Sequence, residues 1–352
     1  MTVLLDHQTP RADLAPPPPA AGEEPLILRL RREAGIITPE IRAPRPVSLG
    51  RMAGGQTPEA AARLAGLVFN TCAAAQEGAT RAAFGLPQSP GAGRRIALEC
   101  LRDHALRMAV AWPRALGQPP EPETLRAVAR IDEDQGASLA EALFGPEGAP
   151  ARLGDFETWL QTGETAGARA IAHVWTRWDS RWARAATPLW RPGAPFVEVD
   201  WLAAEIDGRA VDISTAARVA EHDLMREIEA RRGRGLAWRM AARVVDAARL
   251  IDGLADGSVD ETPRALAPGL GVAPAARGAM LVKGAAVDGR VAALARLSPT
   301  DCALHPHGVL ALSLAALPRR RRAPVAAVAA LTVECVDPCL PHKLILEDGP
   351  DV

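Results

Sequence analysis

The sequence predicts a mainly helical α+β protein, and three observations carry that expectation. Apolar residues recur at three- and four-residue spacing through most of the stretch from 56 to 255. Alternating apolar residues, the signature of strands, occur near Leu26 and again after about residue 274. Hydrophobic residues make up 48% of the 352, enough for a large buried core. A charged fraction of 24% and a formal net charge of -1 give no general attraction to nucleic acid, anionic membrane or acidic substrates.

Residues 1–24, with Pro16-Pro17-Pro18-Pro19, read as a disordered Pro-rich tail. Leu26 to Leu30 alternates as a strand does, and the segment from Ile36 to Val47 offers a second short strand. Thr57-Pro58-Glu59 is a helix start, because Thr caps free N–H groups and Pro suits the first helical position. The pattern then runs through Ala60, Leu64, Val68 and Cys72, which puts Cys72 on an inward face of one continuous helix. Ile96 to Trp112 reads as a helix closed by Pro113, and Glu123 to Ile131 as another, with loops at 117–122 and 145–150. Asp155 to Trp182 is helical in pattern, and its Trp175, Trp178 and Trp182 stripe is core packing. Phe196 to Asp200 alternates as a strand. Thr215 to Arg231 and Leu236 to Leu250 read as two helices broken at Gly233-Arg234-Gly235. The second has Leu236, Met240 and Val244 opposite Arg239 and Arg243, so it is expected to be amphipathic and to end toward Gly253. A Pro/Gly-rich link over 260–274 precedes two strands, Ala279 to Lys283 and Val291 to Leu297, turned at Asp288-Gly289. Pro324 to Leu331 fits either a helix or a strand.

No apolar run approaches the roughly 18 residues that span a bilayer, and the N-terminus shows no basic and apolar signal pattern, so the expected location is the cytosol. Five cysteines is an odd number at low density, which argues for reduced thiols rather than a disulfide framework. Lysine occurs only at 283 and 343, so arginine does the surface work, and Arg319 to Arg322 reads as a solvated loop.

The densest set of soft ligands is Cys335-Val336-Asp337-Pro338-Cys339-Leu340-Pro341-His342. By spacing alone, Cys335, Cys339 and His342 with His305 or His307 could hold zinc, which takes mixed Cys and His ligands. By helical position alone, Cys72 and Cys100 are buried structural thiols, and His104, His173 and His222 are packed or surface residues. No phosphate-binding loop, Gly-x-Ser-x-Gly elbow or zinc-protease helix is present, so enzymatic activity is not expected.

Asp337-Pro338-Cys339 resembles the C-terminal Asp-Pro-Cys-x-x-Cys-x-x-His motif of nickel-iron hydrogenase large subunits. Phe69 to Gln76 is similar to their N-terminal Cys-Gly-x-Cys-x-x-x-His motif. Arg277-Gly278 and Ser298-Pro299-Thr300 resemble segments that border the diatomic ligands on iron in those enzymes. The departures are in the ligands themselves. Phe69 stands for the first thiolate, His342 for the last, and Gln76 and Ile345 for the histidines. Four thiolates hold the two metals in the enzymes, and two remain here. With Asp103-His104, Ala111-Trp112-Pro113 and His305-Pro306-His307-Gly308, this pattern resembles the HupK/HoxV-type hydrogenase expression/formation proteins, although their Trp-Asn after Pro-Thr is Cys302-Ala303 here.

The resemblance implies a nickel-iron hydrogenase large-subunit-like fold over a single domain, 25–352, made of a helical body (56–255) and a hairpin with the C-terminal motif (274–345). It implies a non-catalytic scaffold that assists transfer of the iron centre carrying two cyanides and one carbon monoxide, Fe(CN)2(CO), with no nickel. Its implied partners are a small maturation chaperone of the HypC/HupF kind, a HypD-like iron-cofactor assembly protein and the hydrogenase large-subunit precursor. Cys72, Cys339 and His342 would be the metal ligands, and Arg277 and Thr300 would donate hydrogen bonds to the diatomic ligands. By motif position Cys72 corresponds to a thiolate bridging both metals and Cys339 to one on nickel alone. The alternative is a docking protein, zinc-binding or metal-free, that carries no iron centre.

Overall fold

The computed structural model describes residues 2–5, 24–33, 35–45, 47–193, 198–319 and 323–348. Helices dominate, and two four-stranded sheets accompany them. The first sheet has the order Thr2–Leu5, His342–Asp348, Leu26–Glu33, Ile36–Arg42. His342–Asp348 runs parallel to Leu26–Glu33 with His342 opposite Leu26, so the C-terminal motif is drawn back beside the N-terminal strands. Thr2–Leu5 pairs antiparallel with that same strand, in part of the stretch expected to be a tail; 6–23 lie outside the described residues.

The second sheet is an antiparallel meander of Arg264–Ala267, Leu270–Ala275, Gly278–Val287 and Arg290–Leu297. Its last two strands are the expected hairpin, and Asp288 and Gly289 both adopt positive φ, 50° and 71°, as a tight two-residue hairpin turn requires. Its first two strands lie in or next to the stretch read as a link, where Pro and Gly masked a short pairing. Gly278 has φ 140°, and a Cβ there would lie 2.0 Å from the Ile213 carbonyl oxygen. Only glycine lets this strand approach Ile213 and Ser214, and Ala279 N–H donates to that same carbonyl at 2.9 Å.

Several helices differ from their expected bounds for identifiable reasons. The helix capped by Thr57 stops at Val68, and Phe69 to Cys72 turns through a short 3-10 segment before Ala73–Ala83 begins. Cys72 therefore sits in a helix junction instead of on a continuous face. Ala92–Leu106 passes through a π-helical turn, Arg107–Ala111, into Trp112–Ala115, so Pro113 opens a last turn where it was expected to close the helix. Asp155 to Trp182 divides into Leu153–Thr162 and Ala166–Arg177 at Gly163, which is left-handed. Thr215 to Arg231 likewise divides, into Thr215–Val219 and Asp223–Arg232. Val325–Val336 is a helix. Of the expected Phe196 to Asp200 strand, 196 and 197 lie outside the described residues, and Val199–Asp200 pairs with Glu205–Ile206.

The largest departure is Leu236–Asp256. It is buried almost all round, Arg239 and Arg243 included, and continues past Gly253 to a left-handed Gly257. It is the central helix of the main core, and its arginines face buried carboxylates rather than water. Among the described residues no helix is long and apolar enough to cross a membrane.

Candidate metal centre

The site forms where three separate segments meet. Val325–Val336 ends at Asp337, which takes a left-handed conformation (φ 57°) and donates its N–H to the Val333 carbonyl at 2.7 Å. That turn sends Cys339 outward. The Cys339 N–H then donates to Thr300 Oγ1 at 2.9 Å, and Thr300 is fixed in Pro299–Ala303 by a capping box between Ser298 and Asp301. Thr300 accepts through its oxygen, so its hydroxyl proton is still available to donate.

Cys72 arrives from the helix junction. Its neighbour Thr71 places its hydroxyl 3.9 Å from Cys339 Sγ, and Gln76 Nε2 lies 3.7 Å from Cys72 Sγ. Burial, with a smaller contribution from negative charge on Cys339, pushes the half-buried Cys72 thiol up to about 11 against the opposing effects of Gln76 and Arg277. A soft metal cation between the two sulfurs would relieve both the desolvation and the repulsion.

Behind the thiols lies a charge-balanced cluster of three arginines and three carboxylates. Asp337 accepts a hydrogen bond from Arg243 at 2.8 Å and forms ion pairs with Arg107 at 2.9 Å and Arg277 at 3.0 Å. Asp103 receives Arg243 at 2.9 Å and Arg277 at 3.4 Å, and Glu334 receives Arg107 at 2.7 Å. Burial works to raise the Asp103 carboxyl, but Arg277, Arg243 and Arg107 hold it well below the usual carboxylate range. Arg277 is raised in turn by Asp337, Asp103 and Cys339, against the effect of burial.

A second layer continues inward. Arg243 donates to His104 Nδ1 at 3.0 Å, and because arginine only donates, the His104 proton must reside on Nε2 and be given to Asp246 at 2.8 Å. Burial lowers the His104 pKa, consistent with this neutral ring. Arg218 and Arg249 also pair with Asp246.

The structure brings Cys339 against Thr300 and beside Thr71, the neighbour of Cys72, with Arg277 near enough to feel its charge. Among the described residues His342 does not join them in a three-ligand cluster. Leu26 N–H holds the Pro341 carbonyl at 2.8 Å, and His342 begins the strand paired with Leu26. Among the described residues no three His, Cys, Asp or Glu side chains converge to hold a metal ion, so neither this triad nor the zinc set is formed. Cys335 is buried in its helix, where burial raises its thiol to about 12. His305 pairs with Glu205 at 3.2 Å. Arg107 and Glu334 were not singled out from sequence, and Arg243 was read with Arg239 only as the polar side of an amphipathic helix. Phe69, standing where a thiolate would be, lies with its ring 4.1 Å from the Arg296 guanidinium carbon.

No protein-family profile matches the chain. Among solved structures it resembles the reduced Ni-Fe-Se hydrogenase of D. vulgaris Hildenborough, at 14% identity, a TM-score of 0.51, and coverage of 88% of this chain and 94% of that one. It also resembles an NAD+-reducing NiFe-hydrogenase in the H2-reduced state, at 14% identity, a TM-score of 0.55, and coverage of 87% and 93%. Fold and site together define a nickel-iron hydrogenase large-subunit fold with half of the motif thiolates present. The hydrogenase expression/formation protein HupK of Rhodobacter capsulatus is 36% identical over 312 residues, 88% of this chain and 94% of that protein. HupK of Azotobacter vinelandii is 28% identical over 344 residues, 91% and 97%. The chain belongs to the HupK family of hydrogenase expression/formation proteins.

Proposed function

We propose that this protein is a non-catalytic scaffold in hydrogenase maturation, holding an Fe(CN)2(CO) fragment as cargo between Cys72 and Cys339 and passing it to the large-subunit precursor. The observation that carries the reading is the meeting of these two thiols beside Arg277 and Thr300, in a fold whose other two thiolate positions are Phe69 and His342. Two thiolates suffice to hold a low-spin iron fragment and leave coordination positions open to a donor or acceptor thiolate. A full set would trap the cargo.

The residues divide the work. Cys339 is exposed and is the sulfur a partner protein reaches first. Cys72 is half-buried and gives up its proton with difficulty, so it binds when a cation arrives to replace that proton. Arg277 is positively charged beside the thiols and faces the anionic cyanides, with Thr300 as a neutral donor. The small chaperone, its iron-cofactor-building partner and the large-subunit precursor are the proposed partners, meeting in the cytosol.

Infrared spectra of anaerobically purified protein test this. Wild type is expected to show cyanide and carbonyl bands that Cys72→Ala and Cys339→Ala each lose. Bands unchanged in both variants would sink the proposal.

A further inference from the structure

The helix Ala73–Ala83 starts one residue after Cys72 without the usual devices at its N-terminus. Cys72 makes no side-chain cap bond, and the first turn holds no acidic residue. The cap comes from the neighbouring helix: Ala74 N–H donates to Glu99 Oε1 at 3.0 Å, and the Ala75 N–H bonds the same carboxylate. Glu99 is largely buried, and burial raises its pKa while these backbone donors oppose the rise. Where Asp103, Glu334 and Asp337 face arginine, Glu99 is directed at the backbone donors that follow Cys72.

The local geometry makes that cap matter for the sulfur. Cys72 has φ -138° and ψ 44°, outside the helical region, and its N–H bonds only one turn back, to the Phe69 carbonyl at 3.1 Å. Where the thiol points is therefore set by where the next helix is pinned. We infer that Glu99 is the positioning residue of the thiol pair: by bridging the two helices it fixes Cys72 Sγ relative to Cys339 and so sets the pair's affinity for a soft metal ion. This rests on the thiol-pair reading above. Outer-layer hydrogen bonds of this kind are worth 10–100-fold in metal affinity.

The test uses the full chain with cadmium ion as a soft-metal probe, read by thiolate-to-cadmium charge-transfer absorption, and amide hydrogen exchange at Ala74 and Ala75. Glu99→Ala is expected to speed exchange at both amides about fivefold and to weaken cadmium binding about tenfold. Glu99→Gln keeps an acceptor oxygen and is expected to restore both. Thr165→Ala, which removes the N-cap bond to Ala168 on a different helix, controls for a general loss of stability and should leave cadmium affinity unchanged. Wild-type exchange or wild-type cadmium affinity in Glu99→Ala would overturn the inference, as would a Gln variant as impaired as the Ala one. Cadmium absorption that survives Cys72→Ser would instead overturn the thiol pair itself, with amide exchange still deciding whether Glu99 caps the turn.

Discussion

His104 shows how single residues couple the site to its surroundings. Its ring is buried and neutral, clamped between Arg243 and Asp246, so its folded pKa lies below the ordinary 6.5. Below pH 6.5 the unfolded chain takes up a proton that the folded chain refuses, so stability falls as pH drops from that point. Asp103 and Asp246, both held low, add a further loss as pH falls below about 3.8, where only the unfolded carboxyls protonate. The thiols act at the other end. Cys72 and Cys335 are raised from 9.0 to about 11 and 12, so above pH 9 the unfolded chain ionises first and stability falls again. Denaturant midpoints between pH 5 and 10.5 are expected to trace a dome with its plateau between about 6.5 and 9. A profile flat through both edges would contradict these assignments.

At the scale of elements, the Leu236–Asp256 helix carries the site from beneath. Arg243 serves Asp337, Asp103 and His104 at once. Replacing it with methionine keeps the volume but leaves two carboxylates short of a cation, and about 3 kcal/mol of stability should be lost in chemical denaturation. A loss under 1 kcal/mol would mean that Arg107 and Arg277 compensate. This helix is also where sequence reading failed most clearly. Periodicity reports which side of a helix is apolar, and Arg239 and Arg243 looked like the wet side. Only their distant partners, Asp212, Asp103 and Asp337, reveal a buried polar face, and those pairs are separated by up to 140 residues. The hairpin at Asp288-Gly289 was legible for the opposite reason: its turn chemistry is local. The strand His342–Asp348 was missed because the segment it pairs with lies near the other end of the chain.

For the whole molecule, the fold was readable through a few short segments and not through general pattern. Arg277-Gly278, Pro299-Thr300 and Asp337-Pro338-Cys339 each perform a local task that tolerates few alternatives: the close approach at Gly278, the capped helix start at Pro299, the left-handed turn at Asp337. Their joint action brings Cys339 to Cys72. Glu99 and Arg107 left no such trace, because a helical Glu or Arg is consistent with any solvated face. The architecture is that of a hydrogenase large subunit, in a chain that belongs to the HupK family.

Delivery can be measured directly. Iron-loaded protein is mixed anaerobically with the large-subunit precursor, the two are separated, and infrared spectra of each are recorded over time. The account expects cyanide and carbonyl bands to leave this protein and appear on the precursor, with Cys339→Ala starting empty and passing nothing on. A precursor that acquires the same bands at the same rate from the small chaperone alone, while this protein never shows them, would contradict it.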